Sequence, residues 1–389
     1  MRYRARIGTL QKTLHERGLD GALLFHSRDV LYYTGTAQPA WLVVTPDDFV
    51  LGVRSGLDFA RRDTGLEAPC LVEQRDPVTL LRQHFTAGAR LGSELDMMNV
   101  ALYRRLHSAL DGSELVDLSP AILQQRMVKA PEEVAAVRRA CTAMDAGHRA
   151  ALAGVRAGMT ELEASAAIEH GHRLAGHEGE YFLRDIDFTM GRGPFASGEN
   201  LAEISGVVFT ISGVGLSPAV PAGASRRVMR QGDLFVVDIP TCVEGYHADQ
   251  SRTYALGRAP SRARELHAGL VETADRLRGE LRPGWTAGET FERARELAER
   301  AGIGTEFLAF PSGKRAHFVG HGVGLEINEP PFLSRGSKLE LRAGMVLTSE
   351  LHAWADDGTM VKLEDTLLLG PEGAELLTVS PRELTELDD

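Results

Sequence analysis

Three cysteines in 389 residues, Cys70, Cys141 and Cys242, are too few and too scattered for a disulfide framework or a cysteine-ligated metal. They imply reduced thiols and a cytoplasmic protein. No apolar run reaches about 18 residues, which excludes a membrane-spanning helix. The segment Met1–Leu10 holds three arginines but no apolar core follows, so no signal peptide is expected. Positive charge is also short. Against 54 Asp and Glu stand 43 Lys and Arg, and the formal net charge of −11 argues against nucleic acid and anionic membrane surfaces as partners. Disorder is excluded too, because 43% hydrophobic and 25% charged residues is an ordinary globular composition. The length suffices for a sizeable core in one large or two ordinary domains.

The chemistry lies in the second half. Leu234-Phe-Val-Val-Asp238 reads as an apolar strand, Val243-Glu-Gly245 as a turn, and the stretch through Asp249 to Thr253 as a more polar returning strand. Asp238 and Asp249 are symmetric about that turn, so the sequence expects them to face each other, with Cβ atoms roughly 5 Å apart. A second hairpin repeats the pattern. Gly344–Glu350 forms one strand, Asp356-Asp-Gly358 the turn and Val361–Leu369 the return, which sets Glu350 opposite Glu364 and His352 opposite Lys362. Facing carboxylates repel, so each pair asks for a positive charge between its members. One such pair alone reads equally well as a solvated charged face. Two pairs together with the loop Gly320-His321-Gly-Val-Gly324, whose glycines leave the imidazole of His321 unobstructed, read as a metal site.

Asp238, Asp249, His321, Glu350 and Glu364 resemble, in order and local context, the five metal ligands of the pita-bread metallopeptidases. That family includes methionine aminopeptidase, aminopeptidase P and prolidase, with creatinase as a relative that works without metal. The eleven-residue step between the aspartates, the glycine-flanked His321 and the Glu364-Asp-Thr ending carry the resemblance, which spans nearly the whole chain. It implies an α+β pita-bread catalytic domain over residues 123–389, preceded by a smaller α/β creatinase-type domain over residues 1–122. It also implies a homodimeric metal-dependent peptidase that hydrolyses Xaa-Pro bonds in dipeptides or at peptide N-termini through a metal-bridging hydroxide.

Charge arithmetic agrees with two divalent ions, since four carboxylates carry about −4 and a neutral imidazole adds nothing. Oxygen-rich ligation with one imidazole suits manganese, cobalt or zinc. By the same resemblance Glu350 is both ligand and proton shuttle, and His317, four residues before His321, contacts substrate or its tetrahedral intermediate. The chain departs from the prolidase-like pattern at several points. Asn328 stands in place of a histidine, Lys362 in place of arginine, Trp354 in place of tyrosine, and no histidine occurs in Gly213–Ala222. Asn328, Lys362, Trp354 and His352 are the expected substrate contacts. Lys362 would either hold a substrate's C-terminal carboxylate or neutralise nearby acids. Two other readings remain: hydrolysis of another small C–N bond, as in ectoine- or creatine-type relatives, or a non-catalytic binding module. Such modules tend to lose ligands, whereas this chain retains all five.

Elsewhere, residues 1–17 read as a helix with Ile7, Leu10 and Leu14 on one face and Gly18 as its stop. Leu19–Phe25 reads as a buried strand, Ser27–Asp29 as a turn, and Tyr32, Tyr33 and Trp41 as core. Pro131 opens a long helix to about Leu152. Arg156-Ala-Gly-Met-Thr160 is echoed by Arg282-Pro-Gly-Trp-Thr286, each before an amphipathic helix, which suggests two related halves in the catalytic domain.

Overall fold

A computed structural model describes residues 2–187, 190–206 and 210–388. The chain divides into two compact units, Met1–Arg126 and Met127–Asp389, and the expected break at 122/123 falls inside the helix Ser119–Met127. Among the described residues no helix is long and apolar enough to cross a membrane.

The first unit is a six-stranded mixed sheet flanked by short helices. Its opening helix, Arg2–Glu16, buries Ile7, Leu10 and Leu14, and Gly18 follows at φ 62°, a left-handed stop that suits glycine. Met1 lies outside the described residues. Gly21–Leu24 is a wholly buried strand, and Tyr32, Tyr33 and Trp41 are core. The expected turn at Ser27–Asp29 is instead the first turn of a helix, Ser27–Thr34. Asp29 sits there at the positive end of the helix and pairs with buried Arg126 at 2.8 Å, a partner that local sequence does not announce.

The second unit carries a four-stranded sheet, a five-stranded sheet and two helix pairs. Pro131–Gly154 packs with Glu161–Leu174, and Ser261–Glu280 packs with Ala287–Arg300. The repeated string has the same physics in both halves. Thr160 and Thr286 each accept a hydrogen bond from the backbone N–H three residues on, at 3.2 and 3.1 Å, while Glu163 and Glu289 each reach back to the threonine N–H at 2.7 Å. Both are reciprocal N-terminal caps. Gly158 and Gly284 share the left-handed backbone, at φ 90° and 93°, so the echo extends to Thr-x-x-Glu and to the turn before it.

Period-two alternation divides the hairpin Val346–Trp354/Met360–Leu369 into two faces. Leu347, Leu351, Val361 and Leu363 enter the main core against Leu266, Leu270 and Phe291 of the helices. The alternate positions, Thr348, Glu350, His352, Lys362, Glu364 and Thr366, therefore share the opposite face. In the four-stranded sheet, Val236 and Ala255 join that same core while Phe235, Val237 and Tyr254 pack with Ala164 and Ile168. Both sheet faces are thus covered by apolar contacts.

The helices Pro131–Gly154 and Glu161–Leu174 touch where Gly147 meets His172; a Cβ at Gly147 would fall 1.9 Å from its Nε2. His172 and His267 are buried, and Nδ1 of the first and Nε2 of the second have no hydrogen-bond partner. Burial, with minor help from His177 and Arg252 respectively, pushes both from the usual 6.5 down to about 4. The unfolded chain thus binds protons at these sites below pH 6.5 while the folded chain resists them until about pH 4. Each contributes stability that is present above pH 6.5 and lost as pH falls toward 4, on the order of 3 kcal/mol at most. Denaturant titrations across that window should show the loss, and His172→Leu should flatten the slope. An unchanged slope in the variant would exclude His172 as a source of acid sensitivity.

Candidate metal centre

Glu350 pairs directly with Glu364, and His352 with Lys362, as the second hairpin's symmetry predicts. The first hairpin corrects its expectation. Val237 pairs with Arg252 and Val243 with Tyr246, so its register is one residue away from the predicted centre. The reason is the turn, which consists of only two residues, Glu244 and Gly245, both left-handed at φ 54° and 77°. Asp238 accordingly lies across from Ser251, whose Oγ is 2.7 Å from Asp238 Oδ1 and 2.9 Å from Glu364 Oε2. Asp249 sits in the break between Tyr246–Ala248 and Arg252–Leu256, and Thr366 Oγ1 anchors it by accepting from its N–H at 3.0 Å and donating to its carbonyl at 2.7 Å.

The five candidate ligands converge all the same. Asp238, Asp249, His321, Glu350 and Glu364 are between 1% and 7% exposed. His321 Nε2 lies 3.9 Å from Asp249 Oδ2, 3.7 Å from Glu364 Oε1 and 4.0 Å from Glu350 Oε2. Its Nδ1 is 3.0 Å from the Gly322 carbonyl, which accepts if Nδ1 bears the proton and so leaves the Nε2 lone pair facing the carboxylates. The His321 N–H donates to Thr348 Oγ1 at 3.1 Å. The flanking glycines are required by the neighbouring strands. A Cβ at Gly320 would stand 2.1 Å from the Thr348 carbonyl, and one at Gly322 2.4 Å from that of Pro330.

Two sets of ligand atoms are close enough to hold a cation: Asp249, His321 and Glu364, and Asp238, Glu350 and Glu364. Glu364 Oε1 is buried and has no hydrogen-bond partner, which leaves an acceptor that a cation could fill. Electrostatics point the same way. Burial, then the Asp238 charge, holds Asp249 well above the usual carboxylate range, and burial with Asp249 does the same to Glu364. Asp238 is raised by burial, which outweighs Lys362. Burial also opposes ionisation of Glu350, but Lys362 and His321 outweigh it and hold this carboxyl below its ordinary value. His321 is kept neutral by burial.

Lys362 is fully buried, and burial alone would strip its proton; Asp238, Glu350 and Glu364 reverse that and raise it well above its usual value. Its Nζ stands 2.6 Å from Asp238 Oδ2 and 2.8 Å from Glu350 Oε1.

The remaining expected residues are more dispersed. His352 is buried beside Lys362, its ring 4.6 Å from that of Phe310 and its Nε2 without a partner. Trp354 is half-buried at the end of its strand against the main core, and Asn328 is half-buried just before the strand Glu329–Ser334. His317 is exposed, and among the described residues no hydrogen bond or ion pair joins its side chain to the cluster. Sequence reasoning overlooked Ser251, Thr366, Thr348 and Arg252. Ser251, Thr348 and Thr366 each lie two residues from a ligand and Arg252 three from Asp249, which was the available signal.

Residues 135–371 match the profile of metallopeptidase family M24. The chain belongs to that family. Residues 6–128 match the creatinase/prolidase N-terminal domain. The Xaa-Pro dipeptidase of Pyrococcus furiosus is 26% identical over 382 residues, which cover 97% of this chain and 99% of that protein. A probable dipeptidase, PepE, of Mycobacterium tuberculosis is 27% identical over 399 residues, covering 98% and 96%. Among solved structures, the prolidase from Pyrococcus furiosus has a TM-score of 0.78 at 25% identity, covering 95% of this chain and 99% of that one. The Xaa-Pro dipeptidase from Bacillus anthracis shares the fold, with a TM-score of 0.82 at 24% identity over 99% and 100%. The architecture of this M24 chain is therefore the expected one, a creatinase-type α/β domain followed by an α+β pita-bread catalytic domain.

Proposed function

We propose that the protein is a metal-dependent Xaa-Pro peptidase, acting on dipeptides or at peptide N-termini. One observation carries the reading: two carboxylate-bearing hairpins and a glycine-flanked histidine converge in one buried cluster of an M24 chain that resembles an Xaa-Pro dipeptidase over 97% of its length. Asp249, His321 and Glu364 are the proposed holders of a divalent ion, with Asp238 and Glu350 completing the set. Four buried carboxylates support two positive centres, either the expected pair of divalent ions or one ion beside the Lys362 ammonium. Manganese, cobalt or zinc suits these donors. A bound ion would polarise the scissile carbonyl and make water nucleophilic at neutral pH.

The chain's own groups supply the rest. Glu350 takes and returns the proton, since Lys362 and His321 keep it ionised at neutral pH. Ser251 bridges Asp238 and Glu364 and fixes both carboxylates. Lys362 is committed to Asp238 and Glu350, which favours charge neutralisation over capture of a substrate carboxylate. His317, Asn328, Trp354 and His352 are proposed to face the substrate. The same reading takes a homodimer, checked by light scattering, and a cytoplasmic setting, in keeping with three cysteines that form no disulfide among the described residues.

A panel of Xaa-Pro, Xaa-Ala and Met-Xaa dipeptides tests the function. Xaa-Pro hydrolysis should dominate, vanish with a chelator and return with manganese, cobalt or zinc. Activity that survives exhaustive metal removal, or a metal-loaded protein inert toward the whole panel, would end the reading. In the second case, ectoine- and creatine-type substrates come next.

A further inference from the structure

The Asp238, Glu350 and Glu364 oxygens that could hold a cation already surround one. Lys362 Nζ lies 2.6 Å from Asp238 Oδ2, 2.8 Å from Glu350 Oε1 and 3.5 Å from Glu364 Oε2. An ammonium has three donors, and three carboxylates meet it. The side chain has no exposed surface, so it has no solvent position to which it could withdraw. Its backbone is fixed as well. The Lys362 N–H is 2.9 Å from Thr253 Oγ1 and its carbonyl accepts from the same hydroxyl at 2.8 Å, while His352 pairs with it across the hairpin.

The other set is built differently. Asp249 Oδ2 and Glu364 Oε1 lie 3.9 and 3.7 Å from His321 Nε2, and Glu364 Oε1 is buried with no hydrogen-bond donor. No ammonium or guanidinium ion-pairs with Asp249 among the described residues. One half of the cluster thus fits a divalent ion and the other half does not fit a second one.

The geometry points to a one-metal centre, with a single divalent ion held by Asp249, His321 and Glu364 and the Lys362 ammonium as a tethered cation in place of the second. This rests on the metal-dependent reading above. The four carboxylates, about −4 in total, then meet +2 from the ion and +1 from the lysine, close to balance. A lysine suits this task better than the family's arginine, because its ammonium is a compact point charge, nearer to an ion in size than a planar guanidinium.

The test is metal stoichiometry, measured on the full-length protein by elemental analysis after loading with manganese or cobalt and by calorimetric titration of the stripped protein. Wild type should retain one ion per chain. Asp238→Asn should retain it as well, because Asp238 belongs only to the lysine set, whereas Asp249→Asn and His321→Ala should lose it. Lys362→Met, if circular dichroism shows it folded, should rise to two ions. Two ions in wild type would overturn the inference, as would loss of the ion in Asp238→Asn or a folded Lys362→Met that still binds one. Two ions together with chelator-sensitive Xaa-Pro hydrolysis would overturn this inference alone and leave the proposed function standing.

Discussion

Glu350→Gln, assayed on metal-loaded protein, should lower kcat for an Xaa-Pro dipeptide by about 10³-fold or more. Amide hydrolysis needs a base for the attacking water and an acid for the departing nitrogen. Glu350 can do both in sequence. It is 6% exposed, with Oε1 2.8 Å from Lys362 Nζ and Oε2 4.0 Å from His321 Nε2. Burial would push its proton affinity up, but Lys362 and His321 hold it down, so it enters the reaction ionised. Glutamine keeps the shape and cannot exchange a proton. Asn328 cannot titrate either and sits half-buried in a loop, where one hydrogen bond is worth roughly 1 kcal/mol, so Asn328→Ala should cost about tenfold or less. His317→Ala should fall between the two. A Glu350→Gln enzyme within tenfold of wild type, still fully metal-loaded, would move the proton relay elsewhere. His352 would then be the next candidate, since its Nε2 is buried without a partner on the same face of the hairpin.

What the sequence made legible follows from how local each cause is. The Glu350–Glu364 pairing could be read because both strands are long and strictly alternating around one turn signal, so nothing disturbs the register. The Asp238–Asp249 pairing could not. A non-glycine residue, Glu244, takes a left-handed backbone, and both aspartates lie outside the short strands that a symmetry argument treats as continuous. The two aspartates are brought to the cluster separately, Asp238 through Ser251, which also holds Glu364, and Asp249 through Thr366. His317 illustrates the same limit. Four residues before His321, it should share that residue's face, but the register shifts twice between Phe318 and Gly322 and the two-residue period fails. For Lys362 the strand alternation sets the face but not the depth, and only the three carboxylates around the ammonium separate charge neutralisation from substrate capture. The long-range partner is the recurring gap. Asp29 depends on Arg126, and Glu364 on Arg252, across about a hundred residues each.

Arg252→Met should destabilise the unit 127–389 by about 3–5 kcal/mol, read from its denaturant transition at neutral pH. All of the guanidinium's donors are engaged. Nε donates to the Pro381 carbonyl at 2.7 Å, Nη1 to those of Ser251 and Glu364 at 2.9 and 2.6 Å, and Nη2 to Asp365 Oδ1 and the Ser380 carbonyl at 2.7 and 3.1 Å. Methionine fills much of the volume but leaves four carbonyls short of a donor and a buried carboxylate short of a charge. Asp365 retains Arg382 at 2.7 Å and Thr378 at 2.8 Å, which keeps the loss from being larger. The pH dependence has a definite sign. Burial alone would raise Asp365, but Arg252 and Arg382 outweigh it and hold it below its usual 3.8. Its ion pairing therefore contributes stability above that value and loses it as pH falls through the depressed folded value. Removing Arg252 shrinks the contribution, so the gap between variant and wild type should narrow on acidification. Arg252→Lys, which keeps charge but not the fork, should recover only part of the loss. Because Arg252 holds the carbonyls of Ser251 and Glu364, the variant should also bind metal more weakly. A wild-type denaturation midpoint together with wild-type metal affinity in Arg252→Met would mean that the backbone around Glu364 is held by the sheet alone and that the guanidinium is dispensable.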